Sequence, residues 1–167
     1  MMNSVWVAIG VILLAAILFY LWLLHQDGKE VSTPWCGLDF TPRAGFEITS
    51  LPGEPMVQTG RSRLVNGSIA EIEMHIVPDR TAWLRVAVDN GAGRSIGRRS
   101  PMDFKTSRTA QVAGVEVQVY HSHGGPEMMN WEKDGFLYSL YMDQTEMTMM
   151  GGLIDLFVRE SAARLTA

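Results

Sequence analysis

The chain has 167 residues, 47% of them hydrophobic, and its 14 basic against 18 acidic side chains leave a net charge of −4. A mildly acidic protein of this size argues against nucleic acid as the main partner, and a single cysteine, Cys36, excludes an intrachain disulfide. Charge is uneven: Arg43 to Arg108 holds ten basic and seven acidic residues, Thr109 to the end three and eight, so two faces of opposite sign are expected.

Val5 to Leu24 runs twenty residues without a charge, a proline or an amide side chain. At 1.5 Å per residue a helix of that length reaches about 30 Å, the hydrocarbon thickness of a bilayer. Residues 1–24 are therefore expected to be a transmembrane anchor, with Trp6, Tyr20 and Trp22 at the lipid interfaces. The run is longer than a secretory signal and ends in Tyr-Leu-Trp-Leu-Leu, so an uncleaved signal anchor is expected. The location implied is the cell inner membrane, single-pass, with the C-terminal domain periplasmic or extracellular. Residues 25–42, holding Gly28, Pro34, Gly37 and Pro42, read as a juxtamembrane linker, with Trp35, Leu38 and Phe40 packing on the domain.

Residues 43–167 read as one α+β domain. Phe46–Ser50 is a short strand, and Ser68–Val77 alternates Ile72, Met74 and Ile76 with Glu71, Glu73 and His75. Ala82–Asp89 repeats the alternation and pairs with it as an antiparallel neighbour. Asn90–Pro101, with three glycines and three arginines, reads as an exposed loop. Val112–Tyr120, Met128–Glu132 and Phe136–Met142 are further strands, the last two joined by an Asp134-Gly135 turn. Glu146–Ala163 closes the chain as a helix, capped by Thr145, whose Met147, Met150, Ile154, Phe157 and Val158 form the apolar stripe. The expected fold is thus an N-terminal transmembrane helix followed by a mainly antiparallel sheet with one C-terminal helix packed on it.

Gly114-Val115 entering a strand, Trp131 closing the next, Asp134-Gly135 in the turn, Phe136-Leu137-Tyr138-Ser139-Leu140 after it and a final Arg159-Glu160-Ser161 carry a resemblance. Over 112–161 the chain resembles the small domain of unknown function that follows the membrane helix in some bacterial anti-sigma factors and envelope lipoproteins. The resemblance implies a membrane-tethered extracytoplasmic domain with no catalytic residues to carry over. An anti-sigma factor's zinc-binding region has no counterpart in Met1 to Ser4, so that activity is not expected.

Candidate chemistry lies in two places. Arg94, Arg98 and Arg99, with Lys105 and Arg108 beyond, present guanidinium forks suited to phosphate or carboxylate, on a partner or a lipid headgroup. His121-x-His123 places two imidazoles on one side of a strand end, where Glu116, Glu127 or His75 would complete a copper or zinc site; neighbouring methionines would favour copper(I). No Gly-x-Ser-x-Gly or His-Glu-x-x-His occurs, and Cys36 has no neighbouring base.

The expected function is a single-pass, membrane-anchored, non-catalytic accessory, binding or sensing module of a larger envelope complex. Its partners would be the bilayer, through residues 5–24, and a membrane protein; no cofactor is expected. The alternatives are a copper or zinc protein using His121 and His123, and a domain binding anions or lipid headgroups.

Overall fold

The structure, a computed structural model, describes Leu14, Ile17 and residues 30–77, 79–91, 95–143 and 150–166, the side chains of 150 and 151 excepted. The chain divides into two compact units, Met1–Val31 and Ser32–Ala167. Of the first, Leu14 and Ile17 are helical and exposed.

The second unit contains β1 (Ser32–Trp35), a one-turn helix α1 (Thr41–Ala44), β2 (Phe46–Ser50), β3 (Val57–Val65), β4 (Ile69–Ile76) and β5 (Arg80–Val88). After a 3-10 turn at Pro101–Asp103 come β6 (Thr106–Val112), β7 (Val115–His121), β8 (Glu127–Lys133), β9 (Phe136–Met142), α2 (Met150–Glu160) and β10 (Ala162–Leu165). Eight strands form one antiparallel sheet in the order β1-β3-β4-β5-β9-β8-β7-β6, and β2 pairs with β10. The sheet is two meanders, β3 to β5 and β6 to β9, whose last strands lie side by side. The connection 89–105 must therefore carry the chain from the middle of the sheet to its far edge.

Alternation decides which residues build the core. Ile72, Met74, Leu84, Val86, Val117, Met129 and Leu140 point to one face, where Leu153, Ile154, Phe157 and Val158 of α2 cover them. Phe40 and Phe46, fully buried, close one side of that core with stacked rings 6.0 Å apart. Lys133 fastens the end of α2: its Nζ donates to the carbonyls of Val158 (2.9 Å), Arg159 (3.2 Å) and Ser161 (3.1 Å), a cation at the negative end of the helix.

Several sequence expectations are corrected here. The transmembrane helix, and with it the signal anchor and the single-pass inner-membrane location, is withdrawn: among the described residues no helix is long and apolar enough to cross a membrane. Of residues 5–24 only Leu14 and Ile17 are described, so Trp6, Tyr20 and Trp22 lie outside the described residues. Part of the expected linker is structured, since β1 pairs with β3 from Ser32↔Val65 to Trp35↔Ser62. Three further strands go beyond the expected elements, β3 and β6 in stretches given no element and β10 at the end of the expected last helix. β3 lacks clean alternation because a bulge falls between Thr59 and Ser62, β6 is a polar edge strand, and β10 takes residues expected to extend the last helix. That helix begins at Met150 among the described residues; Thr145 and Met147 lie outside them.

Candidate ligand groove

The other face of the sheet, away from α2, is built differently. Register places one polar side chain per strand in a row: Glu71 opposite Arg85, Arg85 opposite Ser139, Ser139 opposite Asn130, Asn130 opposite Gln118, and Gln118 opposite Thr109. Because side chains alternate with period two, all six project to this face. On one side of the row run Trp83, Tyr141, Met128 and Tyr120; on the other, Ala87 and Leu137 continue a small apolar cluster with Val65, Ile69 and Ile96.

The connection to β6 crosses this face as a strap and closes half of it. Ile96 is buried in the apolar cluster, and the backbone at Gly97 lies so close to β8 that a Cβ there would sit 2.6 Å from the Met128 sulfur. Arg85, 2% exposed, donates from Nε to Glu71 at 2.8 Å and from Nη1 to the carbonyls of Gly97 (3.1 Å) and Ile96 (3.4 Å). Glu71, 4% exposed, also meets Arg63 at 3.0 Å and Arg98 at 3.4 Å. Three guanidinium groups around one buried carboxylate supply the partners that burial of charge requires. Arg98 further stacks 4.1 Å above the Trp83 ring. Arg99 donates from Nε to the Tyr141 hydroxyl at 2.9 Å, and that hydroxyl donates to Asp143 at 2.7 Å. Burial first, then the bond to Asp143, hold the Tyr141 phenol above its usual range, while Arg99 pulls the other way. Phe104, packed on Tyr120, brings the strap down at the far edge.

Beyond the strap the face stays open. A groove of about 480 Å³ lies between Ser95 and Ile96 of the strap and Glu116, Gln118, Asn130, Glu132 and Leu137 of β7 to β9. Gln118 is held at both ends, accepting from the Thr109 hydroxyl at 3.1 Å and donating to Glu116 at 3.2 Å. Asn130 Oδ1, and Ser139 Oγ directly opposite on β9, are buried and without a hydrogen-bond partner. Buried polar atoms in folded proteins are nearly always paired, so two adjacent orphans mark this stretch as incomplete.

The residues singled out from sequence fall elsewhere. Arg98 and Arg99 are bound to the sheet as described, Arg94 lies outside the described residues, Lys105 is exposed after the 3-10 turn, and Arg108 is exposed on β6. The four that are described do not form one anion site, because the fold engages two of them. His121 Nδ1 lies 3.6 Å from the carboxylate of buried Glu127, across the β7–β8 pair, whereas His123 is exposed in the following turn. His75 pairs with Glu73 at 3.4 Å on the opposite face from His121, and Glu116 lines the groove. Among the described residues no three His, Cys, Asp or Glu side chains are grouped to hold a metal. Asn130, Gln118 and Ser139 were not singled out, although an asparagine inside a strand flanked by Met129 and Trp131 departs from strand preference and was a legible signal.

No family model matches this chain, nor does any curated protein or solved structure.

Proposed function

We propose that the chain is a binding module whose ligand sits in the groove between the strap and β7 to β9. The observation that carries this reading is Asn130, which lines the groove and whose buried Oδ1 has no partner, with the equally unpartnered Ser139 Oγ behind it on β9. A buried polar atom without a partner costs about 1–3 kcal/mol, and a ligand group that completes it recovers that cost on binding. The site is also largely pre-formed: strap and strands fix its walls, and the Thr109–Gln118–Glu116 chain fixes its polar groups, so little ordering is needed.

The test is residue-resolved. The full chain, labelled with ¹⁵N, is titrated with a fragment set spanning cationic, neutral and anionic members. Saturable shifts confined to Gln118, Asn130 and Leu137 are expected, and Leu137→Trp, which fills the groove, should abolish them. If no fragment class moves those signals, the binding reading is wrong.

A further inference from the structure

We infer that the group recognised in this groove is a protonated amine or a guanidinium, presented on a short aliphatic stem; the inference rests on the groove being the binding site. Among the described residues, the side chains lining it that carry charge are Glu116 and Glu132, one from β7 and one from β8. Glu116 is oriented by the amide of Gln118, which is itself held by Thr109, so its carboxylate is placed before any ligand arrives. Trp131 and Tyr138, whose Nε1 and hydroxyl are also unpaired, turn into the core on the α2 side; the unpaired atom on the groove side is Asn130 Oδ1, buried just beneath the surface and an acceptor. Ammonium and guanidinium groups carry donors only, three and five respectively, and so match carboxylates plus an orphan acceptor, whereas an anion would match neither.

The same sheet face already holds such a group. One stretch away along the polar row, Arg98 of the strap sets its guanidinium against Glu71 at 3.4 Å and over Trp83 at 4.1 Å. The open half likewise offers carboxylates beside an apolar wall, and adds the amides of Gln118 and Asn130, with Leu137 and Ile96 in the place where an aliphatic stem would lie. What the chain does with its own arginine on the closed half, the open half is built to do with a cation from outside.

The experiment uses the ¹⁵N-labelled full chain and Arg94→Ala, because Arg94 precedes Ser95 in the sequence and could compete for the same carboxylates. The probes are agmatine, putrescine, the blocked peptide Gly-Arg-Gly, the same peptide with citrulline for arginine, and glutarate. Agmatine or the arginine peptide should shift the side-chain amides of Asn130 and Gln118 saturably. The citrulline peptide should bind at least about tenfold more weakly, and Glu116→Gln and Glu132→Gln should each weaken the cation by about tenfold. Tighter binding of agmatine and putrescine than of the peptide assigns the cation to a small amine; the reverse assigns it to a side chain of a partner. Equal or tighter binding of the citrulline peptide or glutarate at the same residues overturns the inference and leaves the binding reading intact. Silence of Asn130 and Gln118 to every probe, in both chains, overturns both.

Discussion

The two halves of the sheet face opposite α2 share one row of polar residues and treat it in opposite ways. On the β4–β5 side Glu71 and Arg85 are almost fully buried and engaged by each other, by Arg63 of β3, and by Arg98 and two backbone carbonyls of the strap. On the β7–β8 side Gln118 and Asn130 lie under a groove, and Asn130 Oδ1 has nothing to accept from. The row itself is continuous; what differs is whether the crossing chain lies over it. Burial under the strap makes the closed half structural, since a charge removed from water must be matched within the fold. The open half bears no such obligation except at its two orphans, of which Asn130 lines the groove and Ser139 lies buried behind it.

The largest effect that would break this contrast is expected from Glu71→Ala. Removing the carboxylate leaves Arg85 buried and without its counter-charge, and losses on breaking buried pairs in this way run to about 3–5 kcal/mol. Denaturant unfolding should show that loss, and amide exchange should speed up at Ile96 and Gly97, whose carbonyls Arg85 holds. A loss under about 1 kcal/mol would mean the closed half is as loosely organised as a surface ion pair.

Next in size is a pH effect from the layer beneath the open half. Tyr138, 1% exposed and stacked on Trp131 at 5.3 Å, has its phenol pushed up to about 12 by burial first and by the charge of Asp134 second. In the unfolded chain the phenol ionises near 10, so between about pH 10 and 12 the unfolded state sheds a proton that the folded state keeps. Stability held below pH 10 should therefore fall across that window, by roughly 2–3 kcal/mol for a shift of about two units. Tyr138→Phe should flatten the fall. An unchanged slope in that variant would place the titration on another group, Tyr141 being the obvious one since its phenol is also raised.

How much of this was legible follows from which physical signals are local. The strands β4, β5, β7 and β9 bury one face and wet or strap the other, so alternation exposes them; the Asp134-Gly135 turn, with φ of 53° and 77°, is a hairpin signal in two residues. Asn66-Gly67, with φ of 50° and 70°, carried the same signal for the β3–β4 hairpin and would have revealed β3 despite its bulge. The polar row was not legible, because it depends on register between strands distant in sequence: Glu71, Arg85, Ser139, Asn130 and Gln118 become neighbours only once the β5 to β9 pairing is known. For the same reason the arginine loop read as a free anion site. Nothing local to Arg98 announces that Glu71 and Trp83 lie beneath it.

The smallest predicted effect is the sharpest on the open half, because its sign is opposite to the ordinary one. Ser139 is 1% exposed and its hydroxyl has no partner, so in the free protein it carries the cost of burying a polar atom with no bond in return. Ser139→Ala removes that atom while keeping the Cβ. The unliganded chain should then be as stable as the parent or more stable, by about 0.5–1 kcal/mol, where most buried substitutions destabilise. The same change on a satisfied hydroxyl would cost a comparable amount, so denaturant midpoints separate the two cases. A destabilisation of 1 kcal/mol or more would show that the hydroxyl is already paired, and the open half would then be as complete as the strapped one.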